Sequence, residues 1–205
     1  MLFRSVHHDK QDARSPLATF VEPALYEQVR GFWLALGQPA FGPLAVGAVG
    51  VDPLVAQGCA FSHVPALAAI NPQWTRSQFV RVGNPHCVTL VTQAAALPDN
   101  QPMHQPALFE SLQAIAFAPP AGRGQPCVAG VNLQWAARAS GNRVLARVFE
   151  RGEGPTASSG TSACAVACAA WRAGWVEGAE VAVVMPGGTV RSEEHTSELQ
   201  SPVLS

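Results

Sequence analysis

Between Glu150 and Thr161 the chain reads ERGEGPTASSGT, and a long Ala-rich apolar run, Ser162 to Ala173, begins directly after it. A helix starting there offers unpaired backbone N–H groups and the positive end of a dipole, a ready seat for a carboxylate or a phosphate. Gly152, Gly154 and Gly160 let a ligand come close to the backbone. Glu150 and Arg151 can grip an ammonium and a carboxylate. The plainer reading is a capped loop. The functional reading is preferred, because charged residues rarely lead into a wholly apolar helix without purpose. A second cluster is Gly83-Asn84-Pro85-His86-Cys87. Asn-Pro makes a turn, β-type residues follow at once, and Asn84 and His86 at a strand start either face a pocket or simply pack. Asn132 is the third candidate. It is polar inside the apolar run Val128 to Trp135, and a buried Asn needs a partner, whether ligand or backbone.

Several familiar chemistries are excluded. A phosphate-binding P-loop needs a lysine, and the only one is Lys10. Ser159 and Ser162 lack the G-x-S-x-G frame of a hydrolase elbow, and Gly152-x-Gly154 lacks the third glycine of a dinucleotide fingerprint. Cysteines stand at 59, 87, 127, 164 and 168, without a CxxC. Their odd number and the lack of a signal peptide read as reduced thiols, and no pair of Cys or His spacings suggests zinc. His7 and His8 lie in a polar leader and read as solvated.

The elements that must position these residues are short. Phe32 to Leu36, Gln78 to Val82, His86 to Thr92, Ala129 to Ala136, Arg143 to Glu150 and Val181 to Met185 read as strands, the last of these the final one. Ser140-Gly141-Asn142 is a hairpin turn. Pro106 to Phe117 reads as an amphipathic helix with Leu108, Leu112, Ile115 and Ala116 on one face. Ser162 to Ala173 reads as a helix buried on most sides, with Gly174 at C′ and Ser158, Ser159 or Thr161 as N-cap. A short helical stretch is expected around Ala24 to Arg30. The class is α+β, with mixed sheets wrapped on helices.

Composition narrows the field further. Of 205 residues, 48% are apolar and 13% charged, which excludes a disordered chain and a coiled coil. No apolar run reaches the length of a membrane span, and MLFRSVHHDKQDARS is no secretory leader, so a cytoplasmic protein without a membrane role is expected. With a net charge of −1 and no basic stripe, nucleic acid is not an expected partner. The end differs from the rest: Arg191 to Ser201 reads as the translation of a common short-read sequencing adapter, so residues 191–205 are expected to be an artefact and no part of the fold. Residues 1–30 form a poorly matched leader.

Taken together, the segments resemble the diaminopimelate epimerase family. The matching pieces are LGQPAF at 36–41, VGNPHCV at 82–88, GVN at 130–132, ERGEGPTASSGTSACA at 150–165 and MPGG at 185–188. The resemblance covers roughly residues 31–190. It implies two similar half-domains, each a mixed sheet or barrel around a central helix. Residues 31–92 would be the remnant of an incomplete first half with the crossover, and 93–190 a second half lacking its final strands. It implies a cofactor-independent epimerase or racemase of lysine and cell-wall precursor biosynthesis, without metal. Two bases would act on opposite faces of the substrate α-carbon. Asn84 and Asn132 would bind polar groups of the substrate. Glu150 and Arg151 would hold its distal end, Gly160 and Thr161 would cradle the α-carboxylate, and His86 would support the catalytic thiol region. A small amino acid is the expected partner and a homodimer the expected assembly.

Two departures from the family pattern matter. The family's second catalytic cysteine falls at Ser159, and a hydroxyl is a far weaker acid than a thiol. Cys164, five residues on, lies too deep in the helix to replace it. Nothing matches the G-N-G-x-R-C segment that carries the family's first cysteine. The chain is therefore expected to be a fragment truncated at both ends and inactive by itself. The alternatives are a related isomerase, racemase or dehydratase that uses one base, or a non-catalytic amino-acid-binding protein.

Overall fold

The computed structural model describes residues 21–26, 29–34, 36–56, 58–195 and 203–204. In chain order the elements are β1 (Val21–Tyr26), β2 (Val29–Leu34), β3 (Ala40–Phe41), α1 (Pro43–Val46), β4 (Asp52–Ala56), β5 (Cys59–His63), α2 (Pro65–Ile70), β6 (Ser77–Val82), β7 (Asn84–Val91), α3 (Asn100–Met103), α4 (Pro106–Ala116), β8 (Asn132–Arg138), β9 (Arg143–Glu150), β10 (Gly154–Thr156), α5 (Gly160–Arg172), β11 (Glu180–Met185), β12 (Gly188–His195) and β13 (Val203–Leu204). One sheet runs β13-β12-β11-β9-β8-β7-β6-β5-β4, with β10 added to β9 and β3 to β6. It is mixed: β7 pairs with β8 and β9 with β11 in parallel, while the other pairings are antiparallel. The class is α+β.

The side-chain period of two divides the sheet into two cores. Leu133, Trp135 and Ala137 of β8 join Phe79, Cys87, Val91 and Phe149 against Leu112, Ile115 and Ala116 of α4. Trp135 packs against Trp74 in a tilted arrangement, with ring centroids 4.8 Å apart. On the opposite face Ala136, Val88, Leu90 and Val148 pack against α5. Every residue of α5 from Ser162 to Ala170 is buried. Its small side chains let the sheet approach from several sides, and alanine is the residue that favours helix most. The helix ends in a Schellman motif. Gly174, at φ 66°, donates its N–H to Trp171 O, and Trp175 donates to Ala170 O.

The strand pairs Gln78–Val82 with His86–Thr92 and Ala129–Ala136 with Arg143–Glu150 appear where expected, the last with the same ends and the others shifted by at most three residues. Three expectations need correction. Within Ala24–Arg30 the described residues are strand rather than helix: Ala24, Leu25 and Tyr26 of β1 pair antiparallel with Gly31, Arg30 and Val29 of β2, and residues 27–28 lie outside the described residues. Pro23 is poorly suited to a helix interior, and Val21, Val29, Phe32 and Trp33 favour extended backbone. The strand expected at Phe32–Leu36 is the end of β2, which stops at Leu34. Val181–Met185 is not the final strand, because the chain turns at Pro186-Gly187 and returns as β12, with Met185 opposite Gly188. Arg191–His195 therefore belong to a strand. Their alternation fits one: Ser192 is buried and its hydroxyl donates to Cys164 Sγ at 3.5 Å, while Arg191 pairs outward with Glu180.

Candidate functional site

The two polar clusters of the sequence and Asn132 meet at one end of the sheet. Asn84 opens β7, Asn132 opens β8, Glu150 closes β9, and α5 begins beyond the β10 turn. Parallel pairing sets His86 opposite Asn132. Asn84, His86, Asn132 and Gln134 share, by alternation, the face that carries α5.

Asn132 is nearly buried, and its Oδ1 accepts the Arg151 backbone N–H at 2.7 Å. The Arg151 guanidinium donates to Ala129 O at 2.9 Å, so the GVN and ERG segments bind each other. Gly130 makes that closeness possible. Its φ is +74°, and a Cβ there would stand 2.5 Å from Ala116 O and 2.8 Å from Arg151 Cδ. Glu150 and Asn84 are half-buried, and neither side chain has a hydrogen bond among the described residues.

Ser159 takes the N-cap position of α5 in extended backbone, φ −155° and ψ 124°, but its side chain makes no capping bond. Its carbonyl accepts the Ala163 N–H at 2.9 Å. The N–H groups of Gly160, Thr161 and Ser162 thus have no acceptor within the helix. Gly160 is exposed, and a Cβ on it would meet nothing within 4 Å. Thr161 is half-buried beside it. Ser158 Oγ is buried without a partner, and the preceding loop is tied to the MPGG turn by Gly187 N–H donating to Ala157 O at 2.7 Å.

His86 is fully buried. Its Nδ1 lies 3.0 Å from Gln134 Nε2, which also donates to Ser162 Oγ at 3.0 Å. His86 Nε2 and Gln134 Oε1 have no well-formed hydrogen bond. Burial drives the imidazole pKa down to about 3; the Arg151 and Arg81 cations add to this, and the Val82 backbone opposes it. The ring is therefore neutral at physiological pH. Gln134 and Ser162 thus join the site beyond the candidates that the sequence singles out. The signal was available: Gln134 is the next polar residue after Asn132 at strand spacing, in an otherwise apolar run.

The thiols that remain are poor acids. Burial raises Cys164 to about 11, against the easing effect of the Ser192 hydroxyl. Cys87 is raised to about 12 and Cys127 to about 11 for the same reason. Among the described residues no group of three or more His, Cys, Asp or Glu side chains is placed to hold a metal ion. No helix among them is long and apolar enough to cross a membrane.

Residues 78–203 match the sequence profile of the family described as Diaminopimelate epimerase. The diaminopimelate epimerase of Erythrobacter litoralis is 34% identical over 114 residues, 56% of this chain and 36% of that protein. That of Sphingopyxis alaskensis is 38% identical over 109 residues, 53% of this chain and 35% of that protein. The O-ureido-serine racemase of Streptomyces lavendulae is 32% identical over 162 residues, 78% of this chain and 48% of that protein. The chain spans a third to a half of the length of these relatives.

Proposed function

The chain belongs to the diaminopimelate epimerase family, and we propose that it carries one side of the active site of a cofactor-independent amino-acid epimerase or racemase, most simply one acting on diaminopimelate. The observation that carries this reading is the start of α5. There a cap residue, an open glycine and three N–H groups without helical acceptors stand beside the strand ends that hold Asn84, His86, Asn132 and Glu150. The reading is supported by the names of the relatives, diaminopimelate epimerases and an O-ureido-serine racemase.

In this reading the α-carboxylate sits on the N–H groups of Gly160 and Thr161, where the helix dipole favours negative charge. Asn84 and Asn132 orient the polar groups of the substrate. Glu150 receives the distal ammonium and Arg151 the distal carboxylate. The α-proton leaves to a base on one face of the carbon and a proton returns from the other, so no net proton is consumed. Ser159 occupies the position of one base, and nothing in these 205 residues matches the family segment that carries the other. Residues 93–190 would form the half-domain around α5. The protein would work in the cytoplasm as a homodimer on a small amino acid, with neither nucleic acid nor membrane as partner.

The test is to incubate the full-length gene product with LL- and meso-diaminopimelate in deuterated water. Exchange of the α-proton with interconversion of the isomers supports the reading. Exchange without inversion favours a one-base isomerase or dehydratase, which the hydroxyl at Ser159 also suits. Saturable binding without exchange favours a binding protein.

A further inference from the structure

We propose that Gln134 is a positioning residue for His86: its side-chain amide, anchored on Ser162 of α5, donates to His86 Nδ1 and holds the imidazole in the tautomer that carries its proton on Nε2. This inference rests on the site reading above, though the tautomer can be tested without any activity.

Geometry supports it first. Gln134, His86 and Ser162 are each fully buried, and the amide nitrogen lies 3.0 Å from both Nδ1 and the serine oxygen. One NH2 group has two hydrogens, and here there are two acceptors. Turning the amide over would place its oxygen toward both groups and leave the two amide N–H donors and the Nε2 lone pair unpaired, where the observed orientation leaves one oxygen and the single Nε2–H. Unpaired buried donors are costly, so the observed orientation is favoured. With Nδ1 accepting, a neutral ring must carry its hydrogen on Nε2.

Electrostatics agree. The charged groups that act on the ring are Arg151, after β9, and Arg81 of β6, and both disfavour imidazolium. From β8 it faces the neutral Gln134, and the first turn of α5 has no acidic residue. Nothing anionic therefore stabilises a protonated ring. A neutral histidine locked this way can donate from Nε2 but has no free lone pair for a proton. Its part in the reaction is to orient and donate, and proton abstraction falls to other groups.

The test uses the 205-residue chain labelled with 15N-histidine, followed by NMR from pH 4 to 8. His86 is identified as the resonance lost in His86→Gln. One histidine is expected in the Nε2–H form, unchanged across this range. Gln134→Glu puts an acceptor and a negative charge at Nδ1. It should move the proton to Nδ1 and raise the midpoint by about 1 to 3 pH units. Gln134→Met should abolish the tautomer preference with the histidine still buried. A wild-type His86 that titrates near its ordinary value, or already carries its proton on Nδ1, overturns the proposal. So does a tautomer that both Gln134 variants leave unchanged. None of these outcomes depends on turnover, so the site reading stands or falls separately.

Discussion

Asn132 Oδ1 holds the backbone N–H of Arg151 at 2.7 Å, so the first residue of β8 fixes the turn that follows β9. The bond is nearly buried, and losing it leaves a backbone donor without a partner. Asn132→Leu should cost about 1–3 kcal/mol. Asn132→Asp keeps the acceptor and should cost less. Urea denaturation of both variants measures this, and equal losses would mean the bond does not hold the turn.

Two glycines should respond in opposite ways. At Gly130 a Cβ collides with the Ala116 carbonyl and the Arg151 side chain, and the backbone is left-handed. Gly130→Ala should lose about 1–3 kcal/mol. At Gly160, in the first turn of α5, the same methyl meets nothing. Gly160→Ala should leave the melting temperature unchanged within a degree or two, or raise it slightly. On the site reading it should still weaken binding of a substrate carboxylate, since the methyl stands where the ligand approaches. Calorimetric binding of diaminopimelate together with a thermal melt separates the two effects.

Stability should fall on both sides of neutrality. His86 binds a proton near pH 6.5 when unfolded but near 3 when folded. Between those values the unfolded chain holds more protons, so stability is lost as pH drops through this window, by up to about 1.4 kcal/mol per pH unit. His86→Gln should remove most of that slope. The buried thiols act at the other end. Cys87, Cys127 and Cys164 ionise at about 11 to 12 folded and near 9 unfolded, so their contribution is intact below pH 9 and is lost as pH rises from there through 11 to 12. Melts across pH 3 to 11 test both arms. Iodoacetamide at pH 8 should label the half-buried Cys59 well before these three.

Much of the site was legible because its residues are adjacent in sequence. The ERGEGPTASSGT run contains both the strand end and the helix cap, and an Ala-rich stretch closed by Gly174 permits little but a buried helix. Gln134 was harder to see. Its role depends on Ser162, 28 residues away, and on His86, 48 residues away, and only pairing of β8 with β7 under α5 brings the three together. Local pattern also misled at Ala24–Arg30, where Ala, Leu, Glu and Gln suggest a helix but the described residues on either side pair as antiparallel strands. At Arg191–His195, which the adapter-like sequence sets apart from the fold, the backbone continues β12 all the same.

The hydroxyl at position 159 gives the sharpest test. Ser159 lies on the N-cap of α5 with its side chain unused by the helix. A thiol there would be near the positive end of the dipole, where thiolate is favoured, whereas Cys164, five residues further into the helix, is buried and raised to about 11. The chain alone should show no α-proton exchange above background, having a hydroxyl at this position and no match to the family's other cysteine segment. In a full-length gene product, Ser159→Cys should raise epimerisation by about 10²–10⁴-fold, the usual worth of a positioned acid–base group. The wild type should be lopsided, exchanging faster with the stereoisomer whose α-proton faces away from Ser159. A rate that Ser159→Cys leaves unchanged or lowers would mean that the serine serves the carboxylate as a ligand, and the one-base isomerase or the binding protein would then describe the site better.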